Sequence, residues 1–120
     1  MELETLLDQE YSLGFNPDLA ETIGLSKAVM LAHLHTLIET CGVERDGRDW
    51  IVHTYRQLHE QLPFWSEATI KRTILSLEKD GCLVSENYNQ SKMNKTKWYS
   101  ICYEQYIVMR EDEEAFWMDY

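Results

Sequence analysis

Two groups of basic residues in the second half of the chain have the types and spacing to bind an anion. Lys71 and Arg72 are adjacent in a segment with helical periodicity, and three further lysines lie in the polar stretch 89–97. Lysine and arginine donate charge-assisted hydrogen bonds to phosphate oxygens. The pattern therefore indicates a surface that binds phosphate. For such a surface to form, the helix and the polar stretch must place their basic residues on one side of the protein.

Residues for catalysis or metal binding do not occur in productive spacings. His33 and His35 are two positions apart in a helical segment, so their side chains lie on different faces. Ser66 has no nearby His or Asp to activate it, and the five glycines are scattered singly rather than forming a phosphate loop. The three cysteines are Cys41, Cys82 and Cys102, which form neither a CxxC pair nor a disulfide framework. We expect reduced, mostly buried thiols, no enzyme activity, no metal and no cofactor.

Length and charge set the class of protein. A chain of 120 residues with 44% hydrophobic residues suits one domain with one core. No apolar run reaches the ~18 residues of a membrane span, so we expect a soluble cytoplasmic protein without membrane association. The net charge is −10, yet segment 66–98 carries four acids and six bases, a local +2 between acidic ends. A basic segment of this kind is the part able to approach phosphates.

The first half of the chain predicts two helices and a strand. Asn16, followed by proline, is a helix-start signal, and Gly24 ends this short helix. Ser26 predicts the cap of a longer helix, whose apolar positions cover most of its circumference and so indicate a central element. A polar turn at Asp46-Gly47 then leads into a strand at 50–52.

The next elements are two helices joined by a tight turn. Thr54 and Gln57 form a capping-box pair that opens the first of them. Ser66 is a favourable cap for the second, which carries apolar residues at i, i+4 and i+7 and ends at Gly81.

Two apolar and aromatic segments, 83–88 and 98–103, predict a hairpin with the basic stretch 89–97 at its tip. The element order predicts an α+β fold, a mainly helical winged helix-turn-helix with a C-terminal β-hairpin wing, over residues 1–103. The predicted core comprises Leu31, Leu34, Ile38, Leu58, Ile70, Ile74, Leu77, Leu83 and Ile101.

Particular segments also resemble known families. Residues 66–72 (Ser-Glu-Ala-Thr-Ile-Lys-Arg) and 77–83 (Leu-Glu-Lys-Asp-Gly-Cys-Leu) resemble the recognition helix and first wing strand of bacterial winged-helix DNA-binding domains. A longer match is similar to the winged-helix domain of phage and prophage replication organisers; it includes 19–25 (Leu-Ala-Glu-Thr-Ile-Gly-Leu), 46–50 (Asp-Gly-Arg-Asp-Trp), 63–66 (Pro-Phe-Trp-Ser) and 96–99 (Thr-Lys-Trp-Tyr). The resemblance implies binding to double-stranded DNA at an origin and recruitment of a helicase loader.

The candidate DNA-binding residues belong to the predicted recognition helix and to the wing. They are Ser66, Thr69, Lys71, Arg72, Asn89, Lys92, Lys95 and Lys97. The lysines and arginine are expected to contact phosphates on either side of a major groove, and the polar residues to add hydrogen bonds. The alternative is a solvated helix face and a lysine-rich hairpin edge that discourages aggregation.

The last segment, 104–120, is predicted to be an acidic, aromatic extension. Its aromatic residues, together with an outward-facing leucine on the recognition helix, are candidate partner contacts: Leu75, Tyr106, Phe116, Trp117 and Tyr120. The extension either packs on its own domain, mediates dimerisation or binds another protein. The functional hypothesis is a small DNA-binding protein of a phage or mobile element, in replication initiation or transcriptional control. The alternative is an acidic winged-helix interaction module, such as a phage-encoded inhibitor of a host nucleic-acid enzyme or an oligomerisation domain.

Overall fold

The structure, a computed structural model, describes residues 14–105. Along this range two helices are followed by two strands, and the same order then repeats. The elements within that range are α1 (Pro17–Ile23), α2 (Leu25–Cys41), β1 (Val43–Arg45), β2 (Arg48–Val52), α3 (Tyr55–Gln61), α4 (Glu67–Lys79), β3 (Leu83–Glu86) and β4 (Trp98–Ile101). The strands form one antiparallel sheet in the order β1-β2-β4-β3. The predicted α+β class is confirmed, and the order of elements is compatible with a winged helix.

Three of the helices begin at side-chain caps that the sequence predicts. Asn16 Oδ1 accepts from the amide of Asp18 at 2.8 Å, with proline at the first helical position. Thr54 and Gln57 form the complete capping box of α3. Ser66 Oγ accepts from the amide of Thr69 at 3.1 Å at the start of α4. These bonds satisfy amides that have no partner inside a helix, so they define where each helix starts.

The start of α2 corrects the prediction of a cap at Ser26. The helix begins two residues earlier than a cap at Ser26 implies, at Leu25, and Gly24 takes the cap position without a side-chain hydrogen bond. Gly24 has a φ of 100°, a conformation that glycine adopts without strain. The Gly24 amide donates to the Ala20 carbonyl at the end of α1, and the Gly24 carbonyl accepts from the Ala28 amide at the start of α2. One glycine therefore ends the first helix and begins the second.

The core lies between α2, α3, α4 and one face of the sheet. The predicted core residues are buried except Ile101, which is half-buried and packs against the rest. The prediction omitted Met30, Leu62, Ile51 and Tyr99, each of which is at most 2% exposed. Met30 is buried because α2 is contacted from several sides. Tyr99 belongs to the same core cluster, where a hydrogen bond between its hydroxyl and Tyr55 offsets the cost of burying that polar group. Burial raises the pKa of the Tyr99 phenol, so this hydroxyl stays protonated.

Strand β1 was missed by the prediction. Asp46 and Gly47 have φ values of 53° and 77°, and they form the tight turn of a hairpin between β1 and β2. All three residues of β1 are exposed, so their sequence lacks the apolar alternation by which strands are recognised. The wing strands are also shorter than predicted, with β3 ending at Glu86 and β4 at Ile101.

Within residues 14–105, no helix is both long and apolar enough to cross a membrane.

Candidate nucleic-acid interface

Helix α4 presents one face to the core and the opposite face to solvent. Its buried residues are Ile70, Thr73, Ile74 and Leu77. Lys71 and Arg72 lie on the outward side and are exposed. Because the buried face fixes the rotation of the helix, both cations are held in solvent.

Three of the predicted DNA-binding residues form a hydrogen-bonded row on α4. Ser66 Oγ donates to Thr69 Oγ1 at 3.0 Å, and Arg72 Nη2 donates to the same oxygen at 3.2 Å. The row follows the i, i+3 spacing of a helix face. Thr69 therefore orients the Arg72 guanidinium, which keeps donors available for a further acceptor.

Leu75 lies on this outward face, and its side chain is 42% exposed. Lys71 and Lys79 are four residues away on either side, so the leucine sits within a cationic row. The predicted exposure of Leu75 is confirmed, whereas its role in partner binding stays a prediction.

The loop between β3 and β4, residues 87–97, is called here the wing loop, and asparagine side chains hold it together. Asn89 Nδ2 donates to the carbonyls of Thr96 at 2.7 Å and Asn94 at 3.1 Å, and its Oδ1 accepts from Trp98 Nε1 at 3.0 Å. Asn87 Nδ2 donates to the Asn94 carbonyl as well, at 3.1 Å. Asn89 thus uses both ends of its amide to hold the loop and to tie it to Trp98 at the start of β4, and the predicted contact with DNA stays a prediction.

The wing-loop lysines extend from this ordered loop. Lys92 and Lys95 are exposed and Lys97 is half-buried. Ion pairs among residues 14–105 occur elsewhere, at Lys27–Asp80, His35–Glu39 and Arg56–Glu60. In the described part of the chain the cations of α4 and of the wing loop therefore have no carboxylate within ion-pair distance.

A cluster of aromatic rings and one arginine connects the wing to the β1-β2 hairpin, and sequence reasoning missed it. The Arg45 guanidinium lies 4.3 Å from the ring centroid of Tyr88 and 5.9 Å from that of Trp98. Tyr88 packs edge-on against Trp98 and Trp50, with centroids 5.3 Å apart in both pairs. Trp50 Nε1 in turn donates to the Arg45 carbonyl at 2.9 Å. Partial burial and the Asp46 carboxylate raise the pKa of the Tyr88 phenol, so a neutral ring faces the guanidinium.

Replacing Asn89 by alanine is expected to loosen the wing loop, because it removes three hydrogen bonds that involve Trp98, Thr96 and Asn94. We expect a loss of about 1–3 kcal/mol of unfolding free energy and faster amide exchange across 94–98. The variant Gln90→Ala, in the same loop but exposed, is the control and is expected to behave as the wild type. Unchanged exchange across 94–98 in the Asn89 variant would show that the asparagine does not organise the loop.

The histidines form structural hydrogen bonds. His53 Nδ1 donates to the Val52 carbonyl at 2.6 Å, so its Nε2 accepts from the Gln61 amide at 3.1 Å. Gln61 Oε1 then accepts from His33 Nε2 at 2.7 Å, which links α2 to α3. Among the described residues no group of three or more His, Cys, Asp or Glu side chains is arranged to hold a metal ion.

The thiols differ in exposure. Cys82 is buried and burial raises the pKa of its thiol, Cys102 is half-buried, and Cys41 is exposed at the end of α2. The expectation of mostly buried thiols therefore does not hold for Cys41.

The predicted contacts Tyr106, Phe116, Trp117 and Tyr120 lie outside the described residues, as does most of the predicted extension 104–120. Their roles and the boundary of the extension stay predictions.

Two solved structures are similar to this chain. One is described as the N-terminal domain of a DNA binding protein; it is 19% identical, the match covers 95% of this chain and 93% of that chain, and the TM-score is 0.54. The other is the structure of a Rep-DNA complex, 21% identical over 95% of this chain and 94% of that chain, with a TM-score of 0.49. The first similarity shows a shared fold. No family model and no curated protein matches the chain.

Proposed function

We propose that this chain binds duplex DNA, with α4 in the major groove and the wing loop on the adjacent backbone. The exposed cations of α4 and of the wing loop carry this proposal, since they have no carboxylate partner among residues 14–105. A cation held in solvent without a partner is free to displace counterions from phosphates. The chain acts by binding and has no catalytic step.

The distribution of charge supports the proposal despite the net charge of −10. Residues 14–105 contain twelve acids and ten bases, a net charge of −2, so most of the acidic excess belongs to the two ends of the chain. The fold itself is nearly neutral, and segment 66–98 within it has more bases than acids. Phosphates therefore meet locally favourable charge at this segment.

Arg72 is the residue that we propose to read sequence. Its guanidinium is oriented by Thr69 at 3.2 Å, and an oriented guanidinium recognises guanine through paired donors to O6 and N7. Lys71 and the wing lysines instead contact phosphates and position the protein.

We further propose a role in replication initiation or transcriptional control in a phage or other mobile element. The resemblance of segments 19–25, 46–50, 63–66 and 96–99 to replication organisers supports this context. The structural similarity to a domain named for DNA binding agrees with it.

The test compares duplex binding by the full chain and by two wing-loop variants. Fluorescence anisotropy with a random 30-base-pair duplex at low salt measures affinity. The double variant Lys92→Ala/Lys95→Ala is expected to bind about tenfold more weakly, because it loses two phosphate contacts that stay exposed to water, at about 0.7 kcal/mol each. The control Gln90→Ala changes the same loop without a change in charge, and we expect wild-type affinity.

Equal affinity of the lysine double variant and the wild type would exclude the wing loop from the interface. No binding of duplex by the wild type would contradict the proposal altogether and would favour the protein-interaction alternative.

A further inference from the structure

Met93 is the most exposed of the large hydrophobic residues in the described part of the chain. Its side chain is 90% exposed, whereas the next, Phe64, is 59% exposed. Lys92 precedes it and Lys95 follows two positions later, and segment 87–97 contains no acidic residue. An apolar side chain therefore lies at a basic loop tip, in water, with no packing partner among the described residues.

Hydrogen bonds hold the backbone around Met93 in a defined turn. The Met93 amide donates to Ser91 Oγ at 3.3 Å, and the Asn94 amide donates to the Ser91 carbonyl at 3.2 Å. The Asn94 carbonyl accepts from the side chains of Asn87 and Asn89, both at 3.1 Å. Because the turn is fixed, Met93 is presented outward before any partner binds.

We propose that Met93 enters the minor groove of duplex DNA and wedges against a base step, while Lys92 and Lys95 contact the phosphates beside it. This inference rests on the proposed DNA-binding function and assigns the wing tip a contact with bases. The minor groove is about 6 Å wide, which is enough to admit one apolar side chain. Methionine is among the residues that unstack a base step from this groove and bend the duplex. Pyrimidine–purine steps deform most easily, so they are the preferred site of insertion.

The chemistry around Met93 favours DNA over a protein partner. A protein pocket is recognised by a cluster of apolar side chains, with charged residues depleted at its centre. Met93 instead is a single apolar residue between cations in a loop of asparagine, serine and lysine. Cations beside an isolated apolar residue match a groove with phosphates on both walls.

The experiment uses the full chain and a 30-base-pair duplex with a fluorophore at each end and TA steps at its centre. Energy transfer at saturating protein reports bending, and anisotropy reports affinity. The variants are Met93→Ala, Met93→Leu, which keeps an apolar wedge, and Met93→Gln, which keeps the length but is polar. Because Met93 is so exposed, we expect all three to unfold at the wild-type temperature.

The wild type and Met93→Leu are expected to bend the duplex and so to shorten the distance between its two labelled ends. Met93→Ala and Met93→Gln are expected to lose the bend and to bind about fivefold more weakly. The salt dependence of affinity should be the same in all four proteins, because no phosphate contact changes. If the wild type binds duplex but Met93→Ala binds and bends it equally, the wedge is wrong and the proposed function survives. If the wild type does not bind duplex, both proposals are overturned.

Discussion

Replacing Ile74 by alanine is expected to destabilise the protein by about 2–5 kcal/mol. Ile74 is fully buried in the middle of α4, and it belongs to the same core cluster as Leu34 of α2 and Leu58 of α3. The truncation removes apolar contacts and leaves a cavity that rigid neighbours fill only in part. Because α4 carries the candidate interface, a loss of stability also lowers the folded population that presents this interface.

The next residue along the chain supplies the control. Leu75 is 42% exposed on the opposite face of α4, so Leu75→Ala is expected to change stability by less than about 0.5 kcal/mol. Urea unfolding monitored by circular dichroism gives both free energies. Similar values for the two variants would mean that the rotation of α4 about its axis differs from the one described.

The second large effect is expected for Lys71→Gln/Arg72→Gln. These exposed cations lack a carboxylate within ion-pair distance among residues 14–105, so each is available to a phosphate or a base. Loss of two charged hydrogen-bonding contacts, at about 1.4 kcal/mol each, lowers duplex affinity about a hundredfold. Sequence preference is expected to weaken as well, because Arg72 is the proposed reader of bases.

The matched control is Lys27→Gln/Arg56→Gln, which removes the same amount of charge from two cations that form ion pairs with Asp80 and Glu60. We expect its affinity to stay within about threefold of the wild type, because those charges are already compensated. Anisotropy titrations on a random duplex and on DNA from the neighbouring genome measure both quantities. Equal losses in the two double variants would show that net charge, and not the face of α4, governs binding.

The parts of the fold that the sequence predicts are those specified by local interactions. The caps at Asn16, Thr54 and Ser66 satisfy amides within three residues, and the apolar spacing of α4 repeats within one helix. Such signals are readable because both partners are close in the chain. The strand β1 lacks them, because all three of its residues are exposed and its pairing with β2 supplies its stability.

In the candidate site, too, the sequence predicts what depends on local signals and not what depends on contacts between distant segments. Basic residues stand out by composition, and the phase of α4 places Lys71 and Arg72 outward. The stacking of Arg45 on Tyr88 was not predictable, because it brings together the exposed strand β1 and the wing across the sheet. The DNA contact predicted for Asn89 stays a prediction, but its hydrogen bonds to Thr96, Asn94 and Trp98 were not predictable, because they form only once the hairpin is closed.

The most direct test of the proposal that α4 and the wing loop bind DNA is the salt dependence of duplex binding by the wild-type chain of 120 residues. Anisotropy titrations of a random 30-base-pair duplex across a series of salt concentrations give the slope of log K against log salt. Engagement of five cations, two on α4 and three in the wing loop, predicts a slope of about −4.5. A slope near zero, or no binding at the lowest salt, would contradict the claim that this face of the protein binds DNA.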